Sequence, residues 1–295
     1  MEQAIIAGSN GLVGSAVVSR LLSYGVEVLS LGRKKSKNRI RSDSYLEIDM
    51  NNIGTLVGEL KKISWEPKKS CVFYNFSWEG NSTLTNGTLE QQMKNVLYSV
   101  EAVKVAKQLG CSKFVSCGTL EETYCEENLS NPNSNYQLTQ KNYVIAKLAS
   151  RDYSKYTAYS VGIDYIHTRL SVPFSVGFTR HSFIENNLRL IMDHKPAVSP
   201  TNNNIFDLVN VNEIADAFLK IGLLGKNLSD YYIGSKSPGR LEEYFAFTRE
   251  LLEHKKNFLF DKLNTDTSRI FDTSLLQKHT GYVPTSSFIN YIRSL

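Results

Sequence analysis

Two residues four positions apart, Tyr143 and Lys147 in Tyr143-Val144-Ile145-Ala146-Lys147, are the best acid–base candidates in this 295-residue chain. Positions i and i+4 of a helix share one face. An ammonium beside a phenol favours the phenolate, so the lysine, together with the ribose hydroxyls it would hold, is expected to bring the tyrosine down from its usual value of about 10. Such a phenol can give a proton to a carbonyl oxygen, or take one from an alcohol, while hydride moves at the adjacent carbon. A third group, Thr119, lies 24 residues upstream, just beyond the strand-like run Lys113-Phe114-Val115-Ser116-Cys117. Its hydroxyl can bond the same oxygen, with Ser116 as the alternative partner.

Hydride chemistry needs a nicotinamide, and the start of the chain reads as its cradle. The strand-like Gln3-Ala4-Ile5-Ile6-Ala7 runs into Gly8-Ser9-Asn10-Gly11-Leu12-Val13-Gly14 and then an amphipathic stretch, Ser15 to Gly25. Glycine at the first position permits the tight turn. At the second it lets backbone approach a pyrophosphate, and at the third it lets helix pack close to sheet. The amides at the helix N-terminus then face the anion. The second strand, Val26 to Leu31, ends in Gly32-Arg33-Lys34-Lys35-Ser36-Lys37, with no acidic residue for a ribose 2′-hydroxyl. Basic groups there suit a 2′-phosphate, and a guanidinium can fork onto phosphate or stack on adenine. This end reads as NADP(H)-binding, with Arg33 the leading residue and Lys34 beside it.

The intervening elements alternate. Tyr45 to Asp49 reads as a third strand whose Asp49 is placed to accept from an adenine amino group. Helical sequence follows to about Ile63, then a fourth strand at Cys71–Phe76 turning at Ser77-Trp78. Residues 79–90 read as loop and Gln91 to Leu109 as a long helix capped by Gly110. Lys113–Cys117 is the fifth strand, Glu126–Asn135 a polar loop, and the Tyr143 helix spans about 136–156. Strand–helix alternation of this kind implies an α/β fold: a Rossmann-type doubly wound parallel sheet with right-handed crossovers and ligands at the strands' C-terminal ends.

With these residues in place, the chain resembles the extended short-chain dehydrogenases/reductases, in the sugar-nucleotide epimerase/dehydratase/reductase branch. Gly8 to Gly14 fits that family's GxxGxxG. Asn95 falls where the family commonly has Asn opening a helix, Thr119 on its catalytic Ser/Thr, and Tyr143 and Lys147 on its YxxxK. Arg169-Leu170-Ser171-Val172-Pro173 resembles its segment beside the nicotinamide. Asp207–Ala217, Phe271–Ser274 and Gly281–Pro284 resemble its later signatures. The resemblance implies catalytic roles for Thr119, Tyr143 and Lys147. It implies cofactor contacts from Gly8, Asn10, Gly11, Leu12, Val13, Gly14, Arg33, Lys34, Asp49, Met50, Phe76, Ser77, Asn95, Tyr143, Lys147 and Pro173. Substrate contacts would come from Trp78, Thr119, Glu121, Ser171, Arg180 and Arg240.

The departures narrow the reaction. Dehydratases of the family carry Thr-Asp-Glu at the strand end; here Thr119-Leu120-Glu121 puts a leucine where an acid would protonate the leaving hydroxyl. Many members have Arg before the Asp matched by Asp207; here it is Phe206, so a substrate pyrophosphate needs other cations, with Arg180, Arg240, Lys262 and Arg269 the candidates. His181, near the expected mouth, is a further acid–base candidate.

These features predict an NADPH-dependent reductase of a nucleotide-linked 4-keto-6-deoxy sugar. The alternatives are a nucleotide-sugar 4-epimerase on the same scaffold, and a non-catalytic NADP-binding regulatory protein. The expected division is a cofactor domain, 1–170 with 205–225 returning to it, and a substrate lobe, 171–204 with 226–295. A net charge of +5 is too mild to suggest a nucleic-acid partner, and no apolar run reaches the roughly 18 residues of a membrane span. Four cysteines without CxxC spacing and no leader-like start suggest a reducing, cytoplasmic setting. No metal-ligand spacing occurs, and homodimerisation through the two long helices is expected by resemblance.

Overall fold

The computed structural model describes residues 1–33, 44–80, 87–138, 140–253, 265–285 and 287–294. Seven strands form one parallel sheet: β1 (Gln3–Ala7), β2 (Glu27–Gly32), β3 (Ser44–Glu47), β4 (Cys71–Asn75), β5 (Lys113–Thr119), β6 (Asp164–Leu170) and β10 (Asp230–Ile233), in the order β10-β6-β5-β4-β1-β2-β3. Every pair is parallel, with Gln3 opposite both Glu27 and Cys71. The strand order reverses between β1 and β4, and that switch point opens the crevice where ligands sit in such sheets. β1 and β4 are buried at every residue, which is why they read as continuous apolar runs.

Helices cover both faces. On one, α1 (Leu12–Ser23), α7 (Val211–Leu224) and α10 (Ser274–Thr280) bury Val17, Leu21, Ile214, Phe218 and Leu276 against the strands. On the other, α2 (Leu56–Lys62), α3 (Leu89–Gln108) and α5 (Lys141–Val161) bury Leu56, Leu60, Val103, Ala106 and Ala158. A 3-10 turn, Met50–Thr55, precedes α2. α4 (Leu120–Ser130) follows β5 directly.

A separate aromatic core forms from β7 (Val172–Phe174), α6 (Phe183–Met192), β8 (Ile205–Phe206), β9 (Leu208–Asn210), β11 (Gly239–Arg240), α8 (Leu241–Leu252) and α11 (Phe288–Arg293), through Phe174, Phe178, Leu188, Tyr244, Phe245 and Phe288. The remaining helix, α9 (Thr265–Ile270), adds Ile270 to a small cluster with Tyr124 and Tyr232. Among the described residues no helix is long and apolar enough to cross a membrane.

Three expectations need correction. The stretch read as a polar loop from Glu126 is helical through Ser130, because Thr119 and Glu122 form a capping box that starts α4. α3 begins at Leu89 with Thr88 as its cap, so Asn95 lies in its second turn rather than opening it. β10 lies in the main sheet beside β6, so the stretch from 226 does not belong wholly to the lobe.

Candidate active site

The glycine turn between β1 and α1 holds two glycines that the packing of the chain requires and one that stands beside open space. Gly8 has φ +79°, and a Cβ there would meet the Phe76 and Ser77 backbone at 2.8 Å. A Cβ on Gly14 would stand 2.2 Å from the Gly8 carbonyl oxygen. At Gly11 the nearest atom to such a Cβ is 3.4 Å away, an ordinary contact. Gly11 is exposed and caps α1 without any side chain satisfying the first turn, which holds no acidic residue. The first-turn backbone amides thus open onto a cavity of about 910 Å³, lined by Asn10, Leu12, Val13 and the three glycines. A bare helix N-terminus beside a glycine with free space is what a pyrophosphate group fits.

The adenosine-side expectations meet at the same cavity. Arg33, Asp49 and Met50 line it. The Arg33 Nη1 lies 2.9 Å from Glu79 Oε1, with both side chains exposed. Asp49 caps the 3-10 turn, its Oδ1 accepting the Asn51 N–H at 3.1 Å. Asn10 Nδ2 donates to the Tyr45 hydroxyl at 3.1 Å. Lys34 and Lys262 lie outside the described residues.

At the other end the cavity is walled by Phe76, Ser77, Trp78, Asn95, Thr119, Tyr143, Lys147, Ser171, Pro173 and Arg180. Thr119 ends β5 and caps α4. Tyr143 and Lys147 sit one turn apart on α5. The Lys147 Nζ donates to the Cys117 carbonyl at 2.8 Å and lies 3.9 Å from the centre of the Trp78 ring. It is 5.8 Å from the Tyr143 ring centre. Trp78 meets Tyr143 edge-on at 5.9 Å and donates its Nε1–H to Gln92 Oε1 at 2.8 Å. Asn95 clamps the loop after β4, accepting the Glu79 N–H at 3.0 Å and donating to the Glu79 carbonyl at 2.9 Å.

Protein groups alone set the electrostatics of the pair. Burial pushes the Tyr143 phenol well above its ordinary value; Cys117, Glu122 and Glu121 add to that, and a hydrogen bond with the Thr119 side chain opposes it. Burial likewise pushes the Lys147 ammonium down, against Cys117 and Glu122. The ammonium turns toward a carbonyl and an indole, so in this geometry burial outweighs its pull on the phenol.

Several expected residues stand elsewhere. Ser116 faces His167, its Oγ 3.0 Å from Nδ1, and leaves Thr119 as the β5 hydroxyl on the cavity. Glu121 and Arg240 are not part of the lining, and Arg240 is exposed at the β11–α8 junction. His181 is exposed and off the lining, and Arg269 pairs with Glu127 at 2.9 Å. Glu79, Tyr98 and Ser99 line the cavity without having been singled out. The signal for the α3 face was present: Gln92, Asn95 and Ser99 are buried polar residues at helical spacing.

Comparison with known proteins agrees with this architecture. The pattern of the NAD dependent epimerase/dehydratase family matches residues 4–234. An uncharacterized chloroplastic protein of Arabidopsis thaliana is 30% identical over 119 residues, which span 39% of this chain and 36% of that protein. Among solved structures, UDP-glucose 4-epimerase of Thermotoga maritima, with UDP-glucose, superposes with TM-score 0.75 at 16% identity, over 99% of this chain and 96% of that one. The Bordetella bronchiseptica enzyme WbmF, in complex with NADH, gives 0.73 at 16%, covering 99% and 90%. UDP-glucuronic acid 4-epimerase of Bacillus cereus, with NAD and a fluorinated UDP-sugar, gives 0.71 at 13%, covering 99% of each.

Proposed function

We propose, from the premise that this chain belongs to the NAD dependent epimerase/dehydratase family, that it is an NADPH-dependent reductase of a nucleotide-linked 4-keto-6-deoxy sugar. The observation that carries the reading is one cavity with Arg33 at one end and Thr119, Tyr143 and Lys147 at the other. The bare N-terminus of α1 receives the pyrophosphate, and Arg33 the 2′-phosphate. A bound nicotinamide supplies the hydride. Tyr143, held neutral by burial, gives its phenolic proton to the carbonyl oxygen as that oxygen gains charge. Thr119 orients the same oxygen through its hydroxyl. Lys147 holds the nicotinamide-side ribose. Trp78, Ser171 and Arg180 contact the substrate, with Arg180 the cation facing its phosphates. Leu120 is buried in the Tyr124–Tyr232 cluster, and a buried leucine has no proton for a leaving hydroxyl, which argues against dehydration.

The second reading is a nucleotide-sugar 4-epimerase, favoured by Glu79, whose carboxylate brings an acid to Arg33 after all. The test is stoichiometry. The purified protein is mixed with NADPH and a nucleotide-linked 4-keto-6-deoxy sugar, and reduced-nicotinamide absorbance is followed. One NADPH consumed per sugar reduced supports the reductase. Interconversion of C4 epimers with no net cofactor consumption replaces it with the epimerase. Binding without any turnover leaves the regulatory alternative. We further propose a homodimer through α3 and α5, whose exposed Leu97, Tyr153, Tyr156 and Tyr159 suit a second copy of the same face; sedimentation at monomer mass would refute it.

A further inference from the structure

The residues that set the position of Thr119 lie behind it, out of reach of any ligand. Glu122 is fully buried, and its Oε1 accepts the Thr119 backbone N–H at 2.8 Å. Its other oxygen, Oε2, is 2.8 Å from His167 Nε2 on β6. His167 is 3% exposed, and its Nδ1 is 3.0 Å from Ser116 Oγ. A continuous run Ser116–His167–Glu122–Thr119 thus crosses from β5 to β6 and back to the end of β5. Gly118 makes room for it: a Cβ there would lie 2.3 Å from Glu122 Oε1 and 2.4 Å from His167 Nε2.

We propose that Glu122 and His167 are positioning residues for the reaction, a buried carboxylate–imidazole pair that fixes where Thr119, and therefore its hydroxyl, stands beside Tyr143. The inference rests on the reading of Thr119 and Tyr143 as catalytic residues. A capping box needs only the reciprocal hydrogen bonds of its N-cap and N3 residues, not a buried carboxylate. Burying a carboxylate carries a large desolvation cost unless it is paired. This chain accepts that burial and supplies two partners from β6, His167 and Arg169, whose Nε is 3.7 Å from Oε2. Arg169 is in turn held by Glu126, Asp230 and the Thr123 hydroxyl. Burial works against the ionised Glu122, yet His167 and Arg169 hold its carboxyl below the usual range. The fixed charge reaches the reacting group: Glu122 raises the Tyr143 phenol, as do Cys117 and Glu121, while Thr119 opposes them. Lys147 faces the same space from α5.

Glu122→Ala and Glu122→Gln test this, since glutamine still offers an oxygen to the Thr119 N–H but carries no charge. Hydrogen exchange over residues 117–124 is measured first. Protection at the Thr119 amide should be lost in Glu122→Ala and kept in Glu122→Gln. A displaced hydroxyl should lower kcat by roughly 10- to 100-fold in Glu122→Ala, with KM and NADPH affinity within about twofold, and glutamine should restore most of it. The alkaline limb of the kcat profile should move to lower pH in Glu122→Gln, because removing a neighbouring negative charge lowers the phenol's pKa. A merely structural role would lower Tm and fail to separate kcat from KM. Unchanged Thr119 exchange in Glu122→Ala overturns the proposal whatever the substrate. So does a kcat in Glu122→Ala within about twofold of the wild type. If Thr119→Val turns over like the wild type, the functional reading fails instead. If Glu122→Ala does not fold, Glu122→Asp, whose shorter side chain draws the carboxylate back from the Thr119 N–H, takes its place in the exchange and kcat measurements.

Discussion

Replacing Arg33 by alanine should cost affinity for NADPH and leave NADH nearly untouched. The size follows from where the guanidinium stands. It is 64% exposed, and Nη1 pairs with Glu79 Oε1 at 2.9 Å, itself 52% exposed. A hydrogen bond to a charged group contributes about 1.5–3 kcal/mol. An exposed ion pair contributes about 0–1 kcal/mol. On the proposed reading a 2′-phosphate would have to draw the guanidinium away from Glu79, so the expected net difference is about 1–2 kcal/mol, or roughly 5- to 30-fold in Kd. Nicotinamide fluorescence titration of the wild type and Arg33→Ala with both cofactors measures it. Because the group is exposed, the NADPH advantage should shrink as ionic strength rises. Glu79→Gln should act in the opposite direction, tightening NADPH by about two- to fivefold, as expected from releasing a surface pair. The reasoning is refuted if Arg33→Ala weakens both cofactors equally, or if the wild type binds NADH more tightly than NADPH.

Three further outcomes follow from the geometry. Tyr143→Phe should bind NADPH as the wild type does but turn over at least about 10²-fold more slowly; a kcat within a few-fold of wild type would remove the phenol from the mechanism. Gly14→Ala places a Cβ 2.2 Å from the Gly8 carbonyl oxygen, so the turn must open. Overpacking of about 1–3 kcal/mol should lower Tm by roughly 2–12 °C and take NADPH binding with it, checked by melting with and without cofactor. Asp207 is fully buried, and burial pushes its carboxyl up to about 6 despite donors from Ser235 and Tyr232. The folded state therefore keeps this proton to higher pH than the unfolded chain, whose value is about 3.9. Its contribution is fully present below about pH 4 and is lost as pH rises through about 6. Relative to Asp207→Asn, the wild type should lose up to about 3 kcal/mol between pH 4 and 7 in urea unfolding; a pH-independent difference would contradict it.

Most of the sheet was legible because buried parallel strands are written as continuous apolar runs, and the glycine turn announces its helix. α4 was not legible as a helix. Leu120–Ser130 is polar nearly all round, so periodicity is silent, and the Thr119/Glu122 capping box was its one local signal. The cavity residues carried by motif appear along the lining, from Gly8 to Pro173. Glu79 escaped because its meeting with Arg33 depends on two strand ends separated by β1. The His167–Glu122 pair escaped because it depends on the β5–β6 register, which sets Ser116 opposite His167. The direction of the Tyr143 shift escaped for a similar reason: i, i+4 spacing gives a shared face but not where an ammonium points, and Lys147 points at the Cys117 carbonyl.

That last difference bears on the direction of the chemistry. Reduction of a ketone needs a phenol that still holds its proton; oxidation of an alcohol needs the phenolate. Burial, Glu121 and Glu122 all favour the protonated form of Tyr143, while Lys147 is engaged with a carbonyl and the Trp78 face. A site so poised is an acid first, and it becomes a base only when positive charge moves closer to the phenol. A reductase uses the acid alone. An epimerase must run both steps on one tyrosine, so in this geometry its oxidising half would be the slower and would quicken as pH rises, while the reducing half would hold steady until the phenol begins to ionise. Measuring each half-reaction across pH separates them: a reducing half that rises with pH from neutrality would mean that Tyr143 is not the proton donor.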